Sequence, residues 1–99
     1  MATQKVSLSV NDEPVPVEDF IQKFIERVIT GMLTVLKETG EIKDIHLSIK
    51  GDIVDININK SPISINPFVN KFIRNTVIGM VSSLKGVGRI DRLEISVVE

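Results

Sequence analysis

The fold is decided by a segment that the chain contains twice, first as Val6-Ser-Leu-Ser-Val-Asn-Asp-Glu-Pro-Val-Pro-Val-Glu-Asp-Phe20 and then as Val54-Asp-Ile-Asn-Ile-Asn-Lys-Ser-Pro-Ile-Ser-Ile-Asn-Pro-Phe68. The offset of 48 positions continues without a gap, so residues 6–50 align with residues 54–98, and 14 of the 45 aligned pairs are identical. Self-similarity at a fixed period indicates a repeated structural unit. The sequence therefore predicts a single domain over residues 1–99, an internal duplication made of two tandem repeats (about 6–50 and 54–98).

Each repeat predicts a strand, a short extended arm, a helix and a closing strand. Residues 6–10 and 54–59 alternate apolar and polar side chains, which is the period of a half-buried strand. The arms at residues 15–17 and 63–65 alternate again, and Pro14 and Pro16 confine the first arm to a sheet edge. The pattern leaves open whether the arms are true strands. Strands at residues 42–49 and 90–97 close the two repeats.

The helices have recognisable start signals. Asp19, with Gln22 three residues later, predicts a capping box for the first helix. Asn66 followed by Pro67 predicts the cap and first position of the second helix. We expect the first helix to reach about residue 37 and to stop near Gly40. The second should reach about residue 85 and stop at residue 86.

These elements define an α+β fold with two layers. Without the arms, the order is βαββαβ, the ferredoxin-like plan of an antiparallel sheet with two helices on one face. With the arms as full strands, the order becomes ββαβ twice. The sequence leaves both versions and the strand order open.

The apolar stripe of the first helix fills about half of its circumference and includes Phe20 and Phe24. The second helix repeats the pattern with Phe68 and Phe72. This stripe is wider than one sheet contact needs, so we expect the excess to serve helix–helix contact between the repeats or between two chains. A glycine at the stripe edge in both helices predicts that a neighbour approaches too closely for a Cβ; these glycines are Gly31 and Gly79.

The segment between the repeats, residues 49–53, reads as a tight hairpin. Apolar residues of the two strands must face the same side, which restricts the register. We expect His46 to lie opposite Asp55, and Asp44 opposite Asn57, on the polar face.

Composition restricts the function classes. The net charge of −1 predicts no general attraction to nucleic acid or anionic lipid. The chain has no cysteine, which excludes disulfides and thiolate metal sites, and we expect a cytoplasmic protein without a membrane partner. The charge is uneven, however, because no acid occurs between Asp55 and Asp91.

One helix phrase carries a resemblance: Asn66-Pro-Phe-Val-Asn-Lys-Phe-Ile-Arg-Asn-Thr-Val-Ile-Gly-Met-Val-Ser-Ser-Leu-Lys-Gly86. It resembles a phrase found in small uncharacterised archaeal proteins. The likeness covers one helix per repeat, about 40 residues in all. It implies no activity and no site residue.

The residue types argue against an enzyme. A Ser–His–Asp arrangement would have to use His46, the only histidine, with Asp55 and Ser48. Ser48 lies two residues along the same strand rather than on a sharp turn, so a solvated cross-strand pair is the better interpretation. No metal-ligand spacing and no phosphate-binding glycine loop occurs. We therefore expect no catalytic residue, no cofactor and no metal.

The open face of the predicted sheet is small and polar, and includes His46, Asp55 and Asn57. RNA recognition on such a face needs aromatic residues on the strands, whereas all four phenylalanines lie in the helices. That face could bind a small polar ligand, stay bare or be covered by another sheet.

The leading hypothesis is a non-enzymatic domain for protein–protein interaction or self-association. The predicted interaction face is the outer side of the second helix, where an exposed Ile78 has a basic and polar rim made of Lys71, Arg74, Ser82 and Lys85. One alternative is binding of nucleic acid or another polyanion through the basic residues of the second repeat, which is not favoured. The other is a small-ligand regulatory domain.

Overall fold

The computed structural model describes residues 5–36 and 41–98, which form six strands and two helices. In chain order these are β1 (Lys5–Val10), β2 (Glu13–Pro14), α1 (Asp19–Leu36), β3 (Ile45–Lys50), β4 (Ile53–Ile58), β5 (Ser61–Ile63), α2 (Pro67–Ser82) and β6 (Arg92–Val98). All strands join one antiparallel sheet in the order β2-β1-β6-β3-β4-β5. The predicted α+β class with an antiparallel sheet and two helices is confirmed.

The extended arms contribute the two edges of the sheet. The edge strands are β2 at residues 13–14 and β5 at residues 61–63. The predicted arms were residues 15–17 and 63–65. The described element order is therefore ββαβ followed by ββαβ. Pro14 and Pro62 both lie in these edge strands, where a residue without a backbone N–H leaves no ladder bond unmade.

The core lies between the sheet and the helices. Alternate residues of the four long strands are buried, and each helix contributes three buried side chains. Those of α1 are Ile25, Ile29 and Leu33; those of α2 are Ile73, Val77 and Val81. Burying one such side chain contributes about 1.5–3 kcal/mol, so this single cluster is the main source of stability. The opposite face of the sheet carries exposed and half-buried polar residues.

Two of the hairpins use turns with two left-handed residues. Asn11 and Asp12 have φ of 51° and 68°, and Asn59 and Lys60 have the same pair of values. Positive φ at both central positions defines the type I′ turn, whose twist matches that of the flanking strands. Asparagine tolerates this conformation well, which explains its presence at the first position of each turn.

The hairpin between β3 and β4 has a different register from the predicted one. His46 pairs with Asn57, and Asp55 pairs with Ser48, so the expected pairing of His46 with Asp55 is wrong by two residues. The loop is Gly51 and Asp52, and its first residue has φ of +59°, a conformation that favours glycine. A shift of two positions leaves each side chain on its predicted face.

The strand order departs from the ferredoxin-like plan. That plan places the first strand of each βαβ unit at the centre of the sheet. Here the closing strands β3 and β6 are central, and β1 and β4 flank them. The arrangement of the strands is therefore not the ferredoxin-like one.

The helix termini agree with the predicted ones only in part. Asn66 caps α2 as expected, because its side-chain Oδ1 accepts a hydrogen bond from the Val69 N–H at 2.8 Å and Pro67 begins the helix. Asp19 is the first residue of α1 rather than its cap, and the Gln22 amide donates to the Val17 carbonyl at 3.2 Å. The second helix ends at Ser82, before the predicted limit of residue 85. The predicted stop near residue 40 lies outside the described residues.

Candidate interaction surface

The position of the helices leaves an open groove between them. The backbone of α1 lies closest to β1 and that of α2 closest to β4, with β6 and β3 in between. Three strand spacings of about 4.8 Å separate the helices by roughly 14 Å. Helices that pack directly on each other lie 8–10 Å apart. The two helices are therefore too far apart to close over the middle of the sheet.

Apolar side chains from both helices line this groove. At one end it forms an open cavity of about 460 Å³. Its lining residues carry no charge; they are Gly31, Met32, Val35 and Leu36 of α1 and Phe68, Val69, Phe72 and Ile73 of α2. Because this cavity joins the C-terminal half of α1 to the N-terminal half of α2, the helices run antiparallel.

All four phenylalanines are exposed. Phe20 and Phe24 are 70% and 55% exposed, and Phe68 and Phe72 are 73% and 56% exposed. In each helix the two rings contact each other, with centroids 6.1 Å apart and tilted planes. We call the pair on each helix a phenylalanine ridge. These rings belong to the part of the predicted apolar stripe that the sheet does not bury, because the core below them is filled by smaller aliphatic residues.

The glycines Gly31 and Gly79 do not contact a close neighbour. A Cβ added at either position would meet nothing within 4 Å among the described residues. The expectation of a tight approach inside the domain is therefore wrong. Both glycines are exposed, and we call the open space above each of them a glycine hollow; that of Gly31 belongs to the groove cavity.

Charged residues lie beside the phenylalanine ridges. Lys23 and Arg27 adjoin the ridge of α1, where they line a surface depression with Phe20 and Phe24. On α2 the helix itself carries Lys71 and Arg74 and no acid, and Asp52 of the β3–β4 turn lies 3.6 Å from Arg74 Nε. The groove is thus an apolar strip between two charged borders, which is the pattern of a binding surface with a polar rim.

The residues of the predicted interaction face lie in several different environments in the structure. Ile78 is half-buried and packs against the core, so it cannot be the exposed centre of a patch. Arg74 Nε donates to the Gly51 carbonyl at 2.7 Å and lies 3.6 Å from Asp52 Oδ1. Ser82 Oγ donates to the Gly79 carbonyl at 3.2 Å.

The remaining two members of that predicted face are also separated. Lys71 is exposed on α2, near the phenylalanine ridge. Lys85 lies beyond the end of α2 and lines a different depression of about 490 Å³ with the β1–β2 turn. The exposed apolar residues of the second repeat's helix are its phenylalanines, so the surface that sequence reasoning chose is adjacent to the one that the structure exposes.

The polar sheet face is a second candidate. His46 and Asp55 are exposed and Asn57 is half-buried, as predicted for this face. The His46 ring nitrogen Nδ1 lies 2.9 Å from Ser96 Oγ of the neighbouring strand. With Ser48 and Glu94 these residues line a shallow depression of about 240 Å³. No group of three or more metal-ligating side chains occurs within residues 5–36 and 41–98.

Comparisons with known proteins add no relative. No protein-family model matches the chain, and neither a curated protein nor a solved structure matches it significantly. In the part of the chain that the structure describes, neither helix has the length and apolar character needed to cross a membrane. The function is therefore argued from the surfaces themselves.

The exposure of the phenylalanines was the feature that sequence reasoning missed, although a signal was present. A stripe that covers half of a helix exceeds what a sheet can bury, so part of it had to lie outside the sheet contact. Periodicity does not say which part. That depends on the spacing of the two helices, which follows from the strand order.

Proposed function

We propose that this chain is a non-enzymatic protein–protein interaction domain and that its binding surface is the outer side of the helix layer. The observation that carries the proposal is the exposure of two phenylalanine ridges: that of α2 lines an uncharged cavity, and that of α1 lines a depression with Lys23 and Arg27. A contiguous apolar patch of several hundred Å² on a small domain marks an interaction site. At about 150–250 Å² for an aromatic side chain, the four rings alone leave roughly 400–600 Å² exposed.

The ridges are not needed for the core. Ile25 and Ile73, which directly follow Phe24 and Phe72 in sequence, are almost completely buried and already face the sheet. The phenylalanines point away from that cluster, where their exposure favours association. The same arrangement on both helices supports a role for the whole helix layer, instead of one chance apolar residue.

The internal repeat supports a common origin for the two halves, and we infer a duplication of a ββαβ unit. Asn11 and Asn59 provide the main support, because they have the same φ of 51° and the same set of bonds to the loop before β6 or β3. A duplicated unit explains why both helices carry a ridge and a glycine hollow. A cytoplasmic location is also our proposal, in keeping with a chain that has no cysteine.

The small-ligand alternative has one observation in its favour. The cavity of about 460 Å³ lies in the size range of ligand pockets, and its lining is apolar. Such pockets also carry a few polar groups that orient the ligand, and none of the eight lining residues has a polar side chain. An apolar ligand should raise the melting temperature progressively, with the logarithm of its concentration above the dissociation constant, which thermal unfolding with added fatty acid would detect.

The polyanion alternative depends on the basic residues of the second repeat. Arg74 is already held by Gly51 and lies beside Asp52, so it is a weaker phosphate ligand than its sequence context suggests. Affinity for a single-stranded oligonucleotide, measured against salt concentration, distinguishes this function. Several phosphate contacts would give a steep log–log slope, whereas our proposal predicts no binding at physiological salt.

Site-specific photocross-linking tests the proposal. Phe72 is replaced by the photoreactive analogue p-benzoylphenylalanine, which keeps an aromatic ring at the ridge. The matched control carries the analogue at Ile53, which is 60% exposed but lies on β4 in the sheet. We expect an adduct of defined mass from position 72 and none from position 53. Adducts from position 53 alone, or from neither position, would contradict the proposed surface.

A further inference from the structure

We infer that the partner on the helix layer is a second copy of this chain, docked face to face about a two-fold axis that runs along the groove. This inference rests on the proposed function, since it names the occupant of the same surface. Its support comes from the shape of the helix layer, from the charges on its flanks and from the area available.

The helix layer is complementary in shape to itself. Phe20 and Gly31 are eleven positions apart, which is about three helical turns, so both lie on the outer side of α1 roughly 16 Å from each other. Phe68 and Gly79 have the same spacing on α2. Each helix therefore carries a ridge near its start and a hollow near its end.

The antiparallel helices place these features at alternating corners. The ridge of α2 lies beside the end of α1 that carries Gly31, since both line one cavity. By the same geometry, the ridge of α1 lies level with the end of α2 that carries Gly79. A two-fold rotation about an axis in the plane of the layer then brings each ridge over a hollow of the other copy. A two-fold contact of this kind uses one patch on both subunits and closes on itself.

The charges on the flanks choose between two orientations of that axis. An axis along the groove places α1 over the partner's α2, whereas an axis across it places α2 over α2. Because Arg74 lies beside Asp52, the uncompensated charge on the α2 side is that of Lys71, whereas α1 carries Asp19 and Glu26 beside its bases. Like charges opposite each other disfavour the second orientation, so the axis runs along the groove.

The available area is sufficient for a stable dimer. A specific interface of standard size buries about 800 Å² on each partner. The four rings provide roughly half of this or more at about 150–250 Å² each. The groove residues, such as Val35 at 77% exposure, contribute further apolar surface.

Sedimentation equilibrium of the purified chain, from about 1 µM upward, tests the inference. We expect a reversible dimer of twice the 11.0 kDa chain mass. The variant Gly31→Leu with Gly79→Leu fills both hollows and should raise the dimer dissociation constant at least ~100-fold, and Phe24→Ala with Phe72→Ala should do the same. Circular dichroism shows that each variant folds. The control Ile53→Ser changes an exposed apolar residue on β4 and should leave the dimer intact.

Spin labels test the direction of the axis, since the chain has no native cysteine. A nitroxide at Asn75→Cys lies near the middle of α2, so two labels would nearly coincide if α2 lay over α2. With α1 over the partner's α2, the labels are displaced sideways by about 14 Å, three strand spacings, in addition to the layer separation. A short inter-label distance would overturn the proposed axis.

Failure of this inference is distinguishable from failure of the proposed function. A monomer at all concentrations whose position 72 still cross-links to a different protein overturns the second copy and keeps the interaction surface. A monomer that binds anionic lipid vesicles through the ridges overturns the second copy in favour of a membrane surface. A dimer that neither the glycine nor the phenylalanine variants weaken uses another face and overturns this inference, whereas cross-linking at position 72 still decides the proposed function.

Discussion

Two asparagines organise the ends of the central strands. Asn59 Oδ1 accepts hydrogen bonds from the N–H groups of Lys43 and Asp44 at 2.7 and 3.0 Å, and its Nδ2 donates to the Glu41 carbonyl at 2.7 Å. Asn11 makes the equivalent three bonds before β6. Each of these two positions needs a side chain with both an acceptor and a donor group, on a residue whose backbone is left-handed. Only asparagine meets both requirements without strain.

Replacement of Asn59 by alanine should therefore lower the free energy of unfolding by about 2–3 kcal/mol, through three lost hydrogen bonds and the cost of a left-handed alanine. Urea unfolding measures the change. Asn57→Ala is the matched control, since the Asn57 side chain makes no hydrogen bond to the described residues, and it should be close to neutral. Equal losses in both variants would show that the side-chain bonds of Asn59 are not important for stability.

Lys60 has a left-handed backbone conformation that glycine adopts more easily than lysine. Its φ of 68° is unfavourable for a side chain with a Cβ, and type I′ turns prefer Asn-Gly. Lys60→Gly should stabilise the protein by about 1 kcal/mol. Lys50→Gly, at the last position of the central strand β3, should instead destabilise it by roughly 0.5–1 kcal/mol. Thermal unfolding of the two variants gives opposite shifts if the turn assignment is correct.

At the scale of the element, each helix has a buried side and an exposed apolar side that are chemically alike. Ile29 and Val77 lie at the centre of the buried sides and are fully inaccessible to solvent. The phenylalanine ridges lie on the exposed sides. Hydrophobicity alone does not separate the two, because the stripe is continuous around half of the helix. The sheet below buries only the part that its own side chains can reach.

The two helix glycines give a prediction about the stability of the monomer. Gly31→Ala and Gly79→Ala should each stabilise the monomer by up to ~1 kcal/mol, because the added Cβ meets nothing within 4 Å and alanine is the better helix former. Chemical denaturation at concentrations below dimer formation measures this. Destabilised variants would mean that a neighbouring element approaches these positions, as the sequence pattern first indicated.

At the scale of the whole molecule, the domain is a thin slab with extents of 37 × 35 × 18 Å. One broad side is the polar sheet face and the other is the helix layer with its groove. A six-stranded sheet is wide, and two helices do not cover it completely. The wide and incompletely covered layer is the reason why we place the interaction surface there.

The separation between the core and the exposed helix layer predicts which substitutions lower the stability of the monomer and which weaken only its association. Phe24→Ser with Phe72→Ser should change the free energy of monomer unfolding by less than about 1 kcal/mol, because exposed side chains contribute little to the core. Ile25→Ala and Ile73→Ala, one position further along each helix, should each cost about 2–5 kcal/mol. Unfolding of dilute samples measures both. A large loss in the phenylalanine variant would place those rings in the core.

The sequence by itself determined the elements, since strand and helix periods, turn residues and the alternation of buried strand residues are local properties. The face of the sheet on which His46, Asp55 and Asn57 lie was also predictable, because a strand has a period of two. The register of the hairpin was predicted incorrectly, since parity does not distinguish shifts of two residues. Only the left-handed requirement at Gly51 selects one of them.

The strand order, the spacing of the helices and the exposure of the phenylalanines were decided by the tertiary structure alone. A stripe on a helix says that apolar residues share a side, but not how far away the next helix lies. With β3 and β6 at the centre, α1 and α2 lie over β1 and β4, and roughly three strand spacings separate them. That distance opens the groove and leaves the ridges in solvent, because none of the elements in residues 5–36 and 41–98 covers them.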